Sequence, residues 1–68
     1  MKPYDRTEIC QTILHNAGIH DYWLADSARL VVAEPDSLTA LQRVAVRVAG
    51  AIWSGRLEPE VAAVLGLA

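Results

Sequence analysis

Cys10, His15 and His20 are the side chains of this 68-residue chain best able to ligate a soft metal ion or to act as nucleophile or base. Such chemistry needs them to converge. On a helix through about residues 5–17, Cys10 turns toward the core while His15 turns away from it, so the two cannot share one ion. A buried, inert thiol is therefore expected for Cys10. His20 and Asp21 are chain neighbours in a turn, where an exposed pair or a helix cap accounts for both. The chain has no glycine-rich phosphate loop, no His-Glu-x-x-His and no nucleophile elbow. The expectation is a protein that is not an enzyme, with no catalytic residue, metal or cofactor.

Composition narrows the class further. One domain fills this length, and a chain so short buries only about 60% of the surface it exposes when unfolded. Hydrophobic residues make up 53% of the sequence, more than one small core can hide. The surplus points to self-association or a protein partner. A net charge of −2 is a handicap for gripping phosphate backbones, so nucleic acid is not the expected partner. The single cysteine excludes an intramolecular disulfide and suits a reducing compartment. Lys2-Pro3 and the polar run Asp5-Arg6-Thr7-Glu8 do not read as a secretory signal. The apolar stretch from Val44 to Trp53 is too short for a membrane span and is split by Arg47. Cytoplasmic localisation is expected.

Turn signals cut the chain into four pieces, which predicts an all-α four-helix bundle in a single domain. The helices are expected at about residues 5–17, 22–33, 37–54 and 59–65. The first is the best signed. Asp5 caps it, Glu8 completes a capping box, Tyr4 and Ile9 form a staple, and Gly18-Ile19 closes it as a Schellman motif. The second takes Leu24, Ser27, Ala28 and Val31 as its inward stripe. Residues 29–32 could instead form a strand, but no second strand is apparent to pair with them, so helix is adopted. The third opens at Asp36 or Ser37 and buries Leu38, Leu41, Ala45, Val48 and Ile52. In the fourth, Pro59 suits the first turn, and Val61, Val64 and Leu65 would close one end of the bundle.

Two segments carry resemblances to known families. Asp36-Ser37-Leu38, continued by Thr39-Ala40-Leu41, resembles the DSL motif of acyl and peptidyl carrier domains. That resemblance implies a small helical bundle with a phosphopantetheine arm on Ser37. The sequence departs from the family in placing Ala33-Glu34-Pro35 where a Leu-Gly pair usually precedes the serine. The same residues suit a helix N-cap, which is the reading adopted. Ala17-Gly18-Ile19 resembles the turn of a helix-turn-helix, with His20, Asp21, Tyr22, Ala25 and Asp26 then offered to a groove. Its two carboxylates are the wrong chemistry for phosphates.

The third helix carries the expected site. Val46 and Trp53 lie one heptad apart on a second apolar stripe, beside Ala49 and Gly50. An aromatic anchor among small residues is the composition of an interface, and the same residues equally fit a Trp53 that covers the open edge of its own core. Arg43 and Arg47, one turn apart, would grip carboxylates on a partner. The function expected is a small interaction module, a homodimer that binds another protein, of the adaptor, regulatory or phage-encoded host-modulating kind. A minimal helix-turn-helix regulator ranks second and a carrier-like domain using Ser37 third.

Overall fold

The computed structural model describes residues 5–26 and 28–66. Helix α1 spans Arg6–Asn16, strands β1 and β2 span Tyr22–Ala25 and Arg29–Val32, helix α2 spans Ala40–Trp53, and helix α3 spans Pro59–Val64. A single 3-10 turn, Pro35–Ser37, joins the hairpin to α2.

The ends of α1 follow the local chemistry closely. The Asp5 carboxylate accepts the backbone N–H of Thr7 at 2.8 Å and that of Glu8 at 3.2 Å, satisfying two free donors of the first turn. Gly18 takes φ +81°, and the Ile19 N–H folds back to the Leu14 carbonyl at 2.9 Å, so Ile19 is buried beneath the turn. The Tyr4 staple lies outside the described residues.

The four-helix bundle is overturned at the second piece, which is an antiparallel hairpin and makes the fold α+β. Tyr22 faces Val32, Trp23 faces Val31, Leu24 faces Leu30 and Ala25 faces Arg29. The strand that residues 29–32 needed lies in the same piece, only a three-residue loop away. Aromatic and β-branched side chains suit a pleated surface, and alternation puts Tyr22, Leu24, Leu30 and Val32 on the core side. Trp23 stands on the other face, 58% exposed. The helical stripe assumed Leu24 and Val31 on one side, but period two sends them to opposite faces. Ser27, also placed in that stripe, lies outside the described residues. The loop closes with Ala28 at φ +61°, a left-handed conformation that its Cβ disfavours, and its N–H returns to the Ala25 carbonyl at 3.2 Å.

Helix α2 begins three residues later than expected. Thr39, not Asp36 or Ser37, is its cap: Thr39 Oγ1 accepts the Gln42 N–H at 3.1 Å, and Gln42 Oε1 accepts the Thr39 N–H at 3.0 Å. Pro35 fixes the local dihedral and starts the 3-10 turn, in which the Ser37 N–H donates to the Glu34 carbonyl at 3.1 Å. The buried arc of α2 is also rotated from the expected stripe. Ala49 and Ile52 are fully buried, while Leu41 is 73% exposed. The helix packs against α1 on one side and the hairpin on the other, so its inward arc is centred between two stripes. In α3, Pro59 and Ala62 turn inward, and Val61, Val64 and Leu65 are exposed rather than closing the bundle.

Two outcomes check this geometry in urea unfolding. Thr39→Ala should cost about 0.5–2 kcal/mol, whereas Ser37→Ala should stay within about 0.5 kcal/mol of wild type. Ala28→Gly should add roughly 0.5–1 kcal/mol by relieving the positive φ, net of the larger entropy a glycine loses.

Candidate functional site

Cys10 lies fully buried on α1, where its thiol donates to the Ala49 carbonyl at 3.3 Å. Removal from water disfavours the thiolate and pushes its pKa up from 9.0 to about 11, an effect that the nearby Arg6 guanidinium only partly offsets. A thiol held neutral and covered is a packing group at neutral pH.

His15 lies on the exposed side of the last turn of α1, away from Cys10. The Tyr22 hydroxyl and His15 Nε2 are 3.0 Å apart, and the ring of His20 lies 5.1 Å from that of His15. The three rings form a small polar cap over the open end of the hairpin. Among the described residues no three His, Cys, Asp or Glu side chains are placed to hold a metal ion. Ser37 is exposed on the rim of a shallow pocket of about 190 Å³, which His20, Asp21 and Glu34 also line. It sits in the 3-10 turn, before the helix whose N-terminus it was expected to cap. Residues 20–26, cast as a recognition helix by the helix-turn-helix resemblance, lead into and form β1 and the start of its loop.

The expected interface residues all lie on α2, and the hairpin lies against two of them, Gly50 and Trp53. The Trp53 indole N–H donates to the Ala25 carbonyl at 3.0 Å, which ties the end of α2 to the loop end of β1. Ala49 is fully buried against α1, and Val46 packs on the core. A Cβ built on Gly50 would find Leu30 Cδ2 of β2 at 4.0 Å, ordinary contact. Trp53 therefore covers its own core, and Arg43 and Arg47 remain exposed.

What the sequence reading missed is on the flanks of α2. Leu41 and Val44, 73% and 56% exposed, border a groove of about 220 Å³ completed by Ile13, Ala17, Ala45 and Gly66. Its remaining lining residue is Asn16, so none of the described residues that line it is charged. On the other flank, Arg47 meets Arg29 and Arg56 around a second depression. Leu41 was legible as apolar, but its exposure follows from the rotation of α2. The three arginines are distant in sequence and only the fold collects them.

The chain matches no protein-family model, no curated protein and no solved structure. Among the described residues no helix is long and apolar enough to cross a membrane.

The thiol gives a test with a definite sign. Unfolded, Cys10 loses its proton near its ordinary value, whereas folded it holds the proton to about pH 11. Burial raises the Tyr22 phenol in the same direction. In that window the unfolded chain binds fewer protons, so stability falls as pH rises; below it the contribution is complete. The urea midpoint should drop from about pH 9 upward, and Cys10→Ala should flatten part of that slope. A thiol reagent at pH 8 should label Cys10 only as the protein unfolds.

Proposed function

We propose that this protein is a small non-enzymatic interaction module that self-associates through the outer flank of α2. The observation that carries the reading is the pair Leu41 and Val44, exposed beside an uncharged groove. Val48, also partly exposed, continues the same helical stripe. Removing a leucine or valine fully from water contributes about 1.5–3 kcal/mol, and two-fold symmetry counts each residue twice.

A second copy suits the groove because ridge and recess lie side by side on one surface. Leu41 and Val44 of each copy can enter the recess beside Ala17 and Ala45 of the other, where small side chains admit close approach. The absence of charge in the lining argues for an apolar occupant of this kind. Among the described residues only eight hydrophobic side chains are buried, against a chain that is 53% hydrophobic, which points the same way. This moves the proposed interface from Val46, Gly50 and Trp53 on the hairpin side, and Ala49 against α1, to the Leu41 flank.

Sedimentation equilibrium at micromolar concentration should show a dimer. Leu41→Glu and Val44→Glu should yield monomers with little loss of thermal stability. Trp53→Ala should instead lower the unfolding midpoint, by about 3 kcal/mol or more of stability. A wild-type chain that stays monomeric to millimolar concentration would remove the reading.

A further inference from the structure

We propose that the depression between the hairpin and α2, ringed by Arg29, Arg47 and Arg56, is a binding site for a dianionic phosphate ester that carries an apolar body. The site lies on the opposite flank of α2 from the Leu41 groove and does not depend on dimerisation.

Three separate elements deliver the arginines. Arg29 opens β2 immediately after the left-handed Ala28, Arg47 comes from the middle of α2, and Arg56 follows the turn that ends α2. That turn is firmly made: Gly55 takes φ +85°, and the Arg56 N–H returns to the Ala51 carbonyl at 2.8 Å. Arg56 is further oriented because its Nε donates to Ser54 Oγ at 3.0 Å, while the Ser54 hydroxyl donates to the Ala51 carbonyl at 3.2 Å. The terminal nitrogens of Arg56 are then left for a ligand. No carboxylate is among the described residues that line the depression. Three of the five arginines of an acidic chain thus gather around one recess.

The ligand class follows from count and shape. A carboxylate has two oxygens and one charge, which a single guanidinium satisfies bidentately. A phosphate monoester has three terminal oxygens and nearly two charges at neutral pH, matching donors from three sides. Between the arginines, Leu30 and Val46 supply apolar walls and Gly50 the floor. The cavity measures about 280 Å³, more than a phosphate group alone fills. Leu30 and Val46 beside that space suit an apolar or aromatic body on the ester.

Gly50 adds an independent argument. A glycine within a helix costs about 1 kcal/mol relative to alanine. Its φ is not positive and its nearest neighbour leaves room for a methyl group, so neither backbone nor packing requires it. What a side chain there would do is raise the floor of the recess.

The test is titration of the full chain with phenyl phosphate, inorganic phosphate and phenylacetate, followed by backbone amide shifts. Phenyl phosphate should saturate, with shifts centred on Arg29, Arg47, Gly50, Ser54 and Arg56, and should bind at least about tenfold tighter than either control. Arg47→Gln and Arg56→Gln should each weaken it about tenfold. Gly50→Ala should weaken it while raising thermal stability, a combination that damage to the fold cannot produce. A phosphotyrosine peptide distinguishes the source of the ester: tighter binding than phenyl phosphate assigns it to a partner protein, equal binding to a free small molecule. Equal affinity for phenylacetate, shifts elsewhere, or indifference to the arginine and Gly50 substitutions would overturn the proposal.

Discussion

The close approach of α1 to α2 at Cys10 and Ala49 decides where every other surface of this molecule lies. Both residues are small and fully buried, and the thiol reaches the Ala49 carbonyl directly. Ile13, Leu14 and Ile52 pack about that point in one continuous core. With Ala49 turned to α1, the roll of α2 about its axis is fixed. Val46, Gly50 and Trp53 must then meet the hairpin, Leu41 and Val44 must stand clear of the core, and Arg47 must project on the far side. A larger residue at position 10 or 49 would push the helices apart and, in a core this small, leave nothing to absorb the change.

The hairpin depends on that roll more than on its own ladder. A two-stranded ribbon is marginal in water without a surface to pack on. Here Leu30 lies over Gly50, Trp53 holds the Ala25 carbonyl at the loop end, and Tyr22 reaches His15 at the open end. Each strand is thus tied to a helix, and Gln42 adds a brace by donating to the Ala17 carbonyl at the end of α1. The left-handed Ala28 directly precedes β2, and both strands of the hairpin are held to helices, so the surrounding structure sustains its conformation.

Local signals in the sequence were readable where a single turn of chain decides the outcome. Asp5 as a cap and Gly18-Ile19 as a stop need no tertiary information, and both are as expected. Asp36 and Ser37 precede Thr39 and cap equally well in isolation, so local signals alone favour them; Pro35 decides the matter by starting a 3-10 turn. Residues 22–33 were ambiguous because Leu24, Ala28 and Val31 fit a helical stripe, while Tyr22, Leu24, Leu30 and Val32 fit a pleat. Packing against α2 breaks that tie, and packing is not written locally. Trp53 and Gly50 did read as a contact surface, but the sequence could not say that the chain's own hairpin would lie there.

The two flanks of α2 have unlike chemistry, and their separation has a consequence. None of the described residues that line the Leu41 groove is charged, so a second copy docked there would meet no ionic barrier from them. The arginine recess lies on the other flank, where like charges would oppose such docking if the two copies met face to face. Repulsion at one flank and apolar attraction at the other both favour the Leu41 side, which supplies direction that burial alone lacks. A two-fold dimer made this way would leave both recesses open to solvent. A partner bearing two phosphate esters could then engage both at once, provided its linker spans them, and its second contact would form at high effective concentration. Modest affinity at each arginine recess would suffice for stable capture, so a shallow site on a chain of this size can still define a partner.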